Sequence, residues 1–223
     1  MIDYSNIGKG GIVKEGIFVR FPDLRPACPD NWGLSELHWK LMIVGESNYL
    51  PNNADSVFKD PMAWYQGEDI QHLIPNGPPE DPDEWRKKFQ NHKSGYLPFD
   101  RLYNSMKNVL KTDFDHLYDE AIYYNYFLRP ATDGVSFRKF CKGIDQKVAG
   151  IALCGILEIV KPDIVIFASK YAYDEFTKYI KSTKYNNVRI EFVYHPSSKF
   201  QKWESNPKCK QKFEELLRKY WIK

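Results

Sequence analysis

Short apolar runs alternate with longer amphipathic segments along this chain, and the alternation predicts strands separated by helices. The clearest run lies at residues 40–45, where four apolar residues in succession precede Gly45. Such a run is typical of a strand in a parallel sheet that helices cover on both faces. An ordinary turn with a glycine at its bend is the alternative. Because ligands bind beyond the carboxyl ends of parallel strands, we expect the next polar residues to face a crevice: Glu46, Ser47, Asn48 and Tyr49.

The other elements follow the same alternation. Aromatic and β-branched residues predict a strand at residues 121–130, which Pro130 ends, and two more at residues 163–168 and 188–194. Helical spacing of apolar residues predicts helices at residues 98–110, 136–160, 169–180 and 207–221. Four strands separated by helices indicate a three-layer α/β/α sandwich around a central, mainly parallel four-stranded sheet, in one domain of residues 1–223.

Two segments depart from this pattern. Residues 1–39 are rich in glycine and proline and predict a loop-rich leader with one edge strand at residues 18–21. Residues 67–94 combine prolines with acidic residues, which excludes a continuous helix or a central strand. We interpret this second segment as a surface insertion with a short helix at residues 85–90, either a lid or surface decoration.

Composition narrows the class of protein. Hydrophobic residues make up 43% of the 223 and aromatic residues 16%, which is enough for a packed core. No apolar run approaches the ~18 residues of a membrane span, and the first residues lack the basic and apolar regions of a secretory signal. We therefore expect a cytoplasmic monomer without contact to a membrane.

The four cysteines carry no recognisable metal or redox motif. Cys28, Cys141, Cys154 and Cys209 are scattered, and no two of them are separated by two residues. We expect reduced thiols, with Cys141 and Cys154 packed in a helix, and neither a metal nor a cofactor.

Positive charge is concentrated at the end of the chain. Residues 170–223 hold 13 Lys or Arg against 6 Asp or Glu, whereas the whole chain has a formal net charge of +3. A basic third is compatible with a partner that carries phosphates, although lysine-rich solvated helices give the same composition.

Polar residues also follow the other predicted strands. Asn125 and Arg129 lie in and after the second strand, Ser169 and Lys170 follow the third, and His195 follows the fourth. A buried Asn125 must bond either the backbone or a ligand, because an unsatisfied amide costs ~1–3 kcal/mol. The convergence of four strand ends on one crevice predicts a functional site there.

These segments, in their order along residues 40–200, resemble the uracil-DNA glycosylase superfamily. Gly45-Glu-Ser-Asn-Tyr is similar to that family's first motif, written Gly-Gln-Asp-Pro-Tyr in one branch and Gly-Glu-Ala-Pro-Gly in the iron–sulfur branch. His195-Pro-Ser-Ser resembles the last motif, His-Pro-Ser-Pro. Between them, Gly95-Tyr-Leu-Pro-Phe resembles the Gly-x-Pro-Phe segment, and Tyr124-Asn125 with Arg129-Pro130 resembles the strand whose Asn reads uracil.

The resemblance implies a role for each matched residue. Phe99 would stack on a base that has been turned out of the DNA, and Asn125 would read its hydrogen-bonding edge. Tyr49 would exclude a thymine methyl group, or would simply pack on its loop. His195 would donate a hydrogen bond to the base oxygen that gains charge, or would cap the turn before Pro196. DNA phosphates would be held by Ser169, Lys170, Ser197, Ser198 and Lys199.

One position departs from the family pattern. Ser47 stands where the main branch has an Asp that positions water, and a serine is not ionised at neutral pH. Glu46 is the nearest carboxylate, so we expect it to activate water or to stabilise the sugar cation. The cysteine spacing of the iron–sulfur branch is missing.

The sequence thus predicts a DNA-base N-glycosylase that removes uracil or another deaminated base by hydrolysis, without a cofactor. A binding protein for nucleic acid or a nucleotide, on the same fold but without hydrolysis, is the first alternative. A hydrolase of small molecules that uses Glu46 and His195 is the second.

Overall fold

A computed structural model describes residues 2–50, 60–66, 97–115, 117–132, 136–183, 188–196 and 202–223. Its centre is a sheet of four parallel strands in the order β2-β1-β3-β4. The strands are β1 (Leu41–Leu50), β2 (Ala121–Thr132), β3 (Ile164–Phe167) and β4 (Arg189–Phe192). The prediction of a four-stranded, largely parallel sheet is confirmed.

Helices lie on both faces of this sheet. They are α1 (Ile17–Arg20), α2 (Pro61–Gln66), α3 (Leu97–Leu110), α4 (Leu117–Glu120), α5 (Gly143–Val160), α6 (Lys170–Thr183) and α7 (Lys210–Tyr220). Short 3-10 helices occur at Pro22–Leu24 and Phe137–Lys139.

The apolar run of β1 explains the layers, because successive side chains of a strand point to opposite faces. Met42 and Val44 pack in a cluster with residues of α5 and α6, whereas Leu41 and Ile43 pack in a second cluster with residues of α3 and α7. All four side chains are fully buried, and each such burial contributes about 1.5–3 kcal/mol. The expected α/β/α sandwich is therefore confirmed.

β1 is longer than the sequence indicated. Its pairing with β2 continues to Leu50, with an irregularity between Ser47 and Tyr49, whereas its pairing with β3 stops at Val44. Residues 46–49 therefore belong to a strand that extends past its neighbour, and not to a loop. This extension carries the predicted site residues beyond the covered part of the sheet.

Pro130 does not end β2, which continues to Thr132. Proline lacks a backbone N–H, but β2 is the outermost strand of the sheet, where a missing donor is tolerated. The predicted edge strand at residues 18–21 is wrong as well: Ile17–Arg20 form a helical turn that buries Ile17 and Phe18. The leader pairs with β2 through an antiparallel bridge between Ala27 and Tyr123, and Phe18 packs against Tyr124.

The predicted long helix is divided. Phe137–Lys139 form a 3-10 helix, and α5 begins only at Gly143, because the Asp145 carboxylate accepts a hydrogen bond from the Lys142 N–H (2.8 Å) and caps a new helix there. Cys154 lies in α5 as expected, but Cys141 precedes it. All four cysteines lie among the described residues, and none of them forms a disulfide bond. The predicted insertion at residues 67–94 lies outside the described residues.

Candidate functional site at the carboxyl edge of the sheet

The carboxyl ends of the strands meet at one edge. The Ala168 N–H donates to the Val44 carbonyl (2.8 Å), and the Val193 N–H donates to the Phe167 carbonyl (2.8 Å), so the chain leaves β3 and β4 level with Gly45. Glu46, Ser169 and His195 follow directly from these points.

Three donors hold the Glu46 carboxylate. Its Oε1 accepts from the Ser136 hydroxyl (2.7 Å) and from the Phe137 N–H (3.0 Å), and its Oε2 accepts from the Ser169 hydroxyl (2.8 Å). These donors come from the turn after β2 and from the turn between β3 and α6. A side chain fixed by three bonds from two segments has one defined orientation.

Each of the two serine hydroxyls is also directed by the backbone. Ser169 Oγ accepts from the Ala172 N–H (3.2 Å), which caps α6, and Ser136 Oγ accepts from the Arg138 N–H (3.3 Å), which caps the 3-10 helix. Because a backbone N–H occupies a lone pair on each oxygen, each hydroxyl hydrogen is free to point at Glu46. The two serines that cap helices are thus also the hydroxyl donors to Glu46.

A buried ion pair supports this side of the site. Arg129 and Asp145 are both fully buried and make a bidentate pair, with N–O distances of 2.8 and 2.6 Å. The Tyr65 hydroxyl donates to the same carboxylate (2.8 Å). Arg129 also donates to the Phe140 carbonyl (2.8 Å) and stacks over the Phe137 ring. The ion pair therefore anchors the turn that holds Glu46, and Arg129 does not reach the crevice.

His195 follows β4 near Glu46. Its side chain keeps part of its surface exposed, yet protein surrounds it closely enough that burial lowers the pKa of the imidazole, while the negative charge of Glu46 raises that pKa. Burial is the larger effect, so the ring is neutral at neutral pH and offers one N–H for donation. The Arg101 guanidinium of α3 donates to the Pro196 carbonyl and ties this segment to α3.

Asn125 lies beside Gly45 in the pairing of β2 with β1. Its side chain is nine-tenths buried; its Nδ2 donates to Asn48 Oδ1 (2.6 Å), and its Oδ1 accepts from the Tyr123 hydroxyl (3.3 Å). A Cβ atom at position 45 would come within 3.0 Å of Asn125 Oδ1 and of the Tyr123 hydroxyl. Gly45 is therefore required by the close approach of these two side chains.

Phe99 packs against Tyr123, whose hydroxyl bonds the Asn125 amide. The ring is 1% exposed and packs edge-on against Tyr123, with 5.0 Å between the ring centroids. In this conformation Phe99 is a core residue next to the site, and its predicted stacking on a base stays a prediction.

The remaining predicted residues have different surroundings. Ser47 is 5% exposed, and its hydroxyl has no hydrogen-bond partner within the described part of the chain. Lys170 forms a half-exposed ion pair with Asp174 (2.6 Å) on the first turn of α6. Tyr49 belongs to β1, but its side chain lies outside the described residues, as do Ser197, Ser198 and Lys199.

The structure thus forms two adjacent groups on β1. Glu46, Ser136 and Ser169 form a carboxylate group with His195 nearby, and Asn125, Asn48 and Tyr123 form an amide group above Gly45. Sequence reasoning did not assign roles to Ser136 or Tyr123. Tyr123 lies two residues before Asn125, so strand periodicity places both on one face and could have revealed it.

A scan of protein-family models and a search of curated proteins found no match to this chain. Among the residues that the structure describes, no helix is both long and apolar enough to cross a membrane. In the same residues, no group of three or more His, Cys, Asp or Glu side chains is placed to hold a metal ion.

Proposed function

We propose that this protein is a DNA-base N-glycosylase that hydrolyses the bond between the sugar and uracil, or another deaminated base. The observation that carries the proposal is the adjacency of the two groups on β1. The Asn125 amide, which can read a base edge, lies on β2 beside Gly45 of β1. The fixed carboxylate of Glu46 follows directly after Gly45 on β1.

The reaction requires opposite charges to be stabilised at two points. Breaking the N-glycosidic bond leaves negative charge on the departing base and positive charge on the sugar. His195, as a neutral imidazole, donates a hydrogen bond to the base oxygen. Preorganised donors of this kind are worth roughly 10²–10³-fold in rate.

Glu46 acts on the sugar side. Among the described residues, its Oε2 accepts one hydrogen bond, so it retains acceptor capacity for a water molecule or a favourable approach to the sugar cation. The three donors keep the carboxylate in place during the reaction, so little reorganisation is needed. In this proposal Glu46 takes the role that Ser47 cannot perform.

The test is direct cleavage of defined oligonucleotides. Purified protein is incubated with single- and double-stranded DNA that contains uracil, hypoxanthine or a mismatch, and alkali then cuts the strand at abasic sites. We expect cleavage at a deaminated base and none at the matching unmodified base. The absence of cleavage in every substrate would overturn the proposal.

Ser47 favours one alternative. Within the described part of the chain this buried hydroxyl has no hydrogen-bond partner, and it stands where the resembled motif has an ionisable Asp, which suits a scaffold that binds nucleic acid or a nucleotide without hydrolysis. Binding that weakens steeply with added salt, without base release, would select this alternative.

A further inference from the structure

We propose that Asn48 is a specificity-determining residue, because it fixes the orientation of the Asn125 amide and thereby selects bases with a carbonyl next to an N–H. The inference rests on the proposed function, in that it assigns Asn125 to the base. It concerns a different residue, however, and a different property: which hydrogen-bonding edge the site accepts.

The carboxamide of Asn125 has two ends: its NH2 group donates hydrogen bonds, and its carbonyl oxygen accepts them. Asn48 takes one hydrogen of Nδ2 at 2.6 Å, and the Tyr123 hydroxyl takes one lone pair of Oδ1 at 3.3 Å. One N–H and one lone pair of Asn125 are then left for a ligand. Their order along the ligand edge depends on which way the amide is turned.

Deaminated and unmodified bases present that edge in opposite order. Uracil offers a carbonyl oxygen as acceptor beside an N–H donor, whereas cytosine offers an amino donor beside a ring-nitrogen acceptor. Hypoxanthine and adenine differ in the same way. An amide that turns freely would accept either kind of base, so selectivity requires a fixed orientation.

Neither partner of Asn125 would fix the orientation by its chemistry alone. A carboxamide and a hydroxyl can each donate or accept, so reversal of Asn125 is compatible with both groups. Reversal nevertheless requires Asn48 to turn at the same time and the Tyr123 hydroxyl to change from donor to acceptor. The three groups are therefore coupled, and the shorter bond, to Asn48, contributes most to holding them.

The surroundings strengthen this coupling. Asn125 is nine-tenths buried, so an amide that lost its partner would lack water to replace it. Gly45 lets Asn125 and Tyr123 approach without a Cβ atom between them. Asn48 is only partly buried and belongs to neither apolar cluster, so it can be changed without loss of core packing.

The experiment compares the affinities of free uracil and free cytosine by isothermal titration calorimetry. The Asn48→Ala variant removes the partner, and Asn48→Asp retains an acceptor for Asn125 Nδ2. Tyr103→Phe serves as the matched control, since it removes a tyrosine hydroxyl that bonds the Phe114 carbonyl (2.9 Å), outside the amide group. Asn48→Ser replaces the alanine variant if the latter does not fold, because its shorter side chain does not reach Asn125.

We expect the intact protein to bind uracil more tightly than cytosine. The ratio of the two affinities should fall about tenfold in Asn48→Ala, which corresponds to about 1.4 kcal/mol, and should stay within about threefold in Asn48→Asp and Tyr103→Phe. A purely structural role for Asn48 would weaken both bases equally and leave the ratio unchanged.

The outcomes separate the two proposals. An unchanged ratio in Asn48→Ala overturns the specificity role whether or not the protein cleaves DNA. Selective binding that depends on Asn48, without base release from any oligonucleotide, supports the specificity role and overturns the glycosylase. If the intact protein binds neither base, the specificity role of Asn48 is overturned, whereas the glycosylase proposal is decided by the cleavage assay alone.

Discussion

The carboxylate group around Glu46 and the amide group around Asn125 hold their side chains in a fixed orientation in different ways. Around Glu46, an acceptor receives three donors whose own orientation is set by helix caps, so the polarity of every bond is determined. Around Asn125, each partner can donate or accept, so the polarity depends on coupling between side chains. Residues one position apart in sequence thus belong to two kinds of hydrogen-bond network.

The difference follows from the alternation of the strand. Gly45 faces the layer of α3 and α7, where Tyr123 and Phe99 pack, and Glu46 faces the layer of α5 and α6. The first layer offers aromatic and amide groups, and the second offers serine hydroxyls and backbone N–H groups at helix starts. The amide group and the carboxylate group therefore differ in the donors and acceptors that surround them, although both lie at the same carboxyl edge of the sheet.

We expect the largest loss of stability when the buried Arg129–Asp145 ion pair, beside the carboxylate group, is broken. Replacing Arg129 with Met leaves the Asp145 charge buried without its cation, which we expect to cost about 3–5 kcal/mol of unfolding free energy. Urea denaturation measures this loss. Lys170→Met is the control, since its exposed pair with Asp174 contributes about 0–1 kcal/mol. A loss below about 1 kcal/mol for Arg129→Met would show that the pair does not anchor this side.

The Glu46→Gln substitution tests the carboxylate without changing its shape. We expect kcat for base release to fall by roughly 10²–10⁴-fold, because the amide carries no charge, and the thermal midpoint to fall as well, because the amide nitrogen cannot accept a hydrogen bond from the surrounding donors. Single-turnover cleavage assays measure the first quantity and calorimetry the second. Glu204→Gln makes the same chemical change in an exposed pair with Lys210 and should leave the rate unaltered. Equal rates for wild type and Glu46→Gln would remove Glu46 from the mechanism.

The Gly45→Ala substitution breaks the amide side selectively. Its Cβ atom would collide with Asn125 and Tyr123, and overpacking of this kind costs about 1–3 kcal/mol. We expect weaker base binding, measured by calorimetry, together with a lower unfolding free energy. Gly143→Ala is the matched control, because its Cβ atom would meet nothing within 4 Å. If Gly45→Ala binds bases as wild type does, the close approach is not needed for recognition.

The smallest effect is the pH dependence that His195 confers. Burial lowers its pKa in the folded protein below the ordinary value of 6.5, so the unfolded chain binds the proton more readily. Stability should therefore fall as the pH drops below about 6.5, by up to about 1.4 kcal/mol for each unit of pKa difference. Unfolding free energies of wild type and His195→Gln are compared between about pH 5 and pH 8.

The same measurement tests whether the charge of Glu46 acts on His195. Glu46 raises the pKa of His195, so the decrease at low pH should be steeper in a Glu46→Gln background. A wild-type curve that runs parallel to that of His195→Gln would mean that the imidazole does not titrate differently on folding.

The fold was largely predictable because its signals are local. The apolar run of residues 41–44 and the aromatic stretch from Ala121 both form strands of the predicted sheet. The errors occur where tertiary contacts override local preference. Pro130 remains within a strand because β2 is at the sheet edge, and the break before Gly143 depends on the cap made by Asp145.

The candidate site was predictable in part. Topology requires polar residues after parallel strands to meet at one edge, and Glu46, Ser169 and His195 do lie there. The sequence could not show that Ser169 donates to Glu46, since any serine at a helix start reads as a cap. It also could not show that Arg129, a polar residue near the end of the strand, is turned inward to Asp145.

The sequence by itself determined the layers, the strand positions and the edge at which chemistry-bearing side chains collect, because hydrophobic periodicity acts over a few residues. Only the tertiary structure decided which partner each polar group takes. Asn48 and Asn125 are 77 residues apart, and Glu46 and Ser169 are 123 apart. Pairings over such distances depend on strand register and helix placement, which no local pattern specifies.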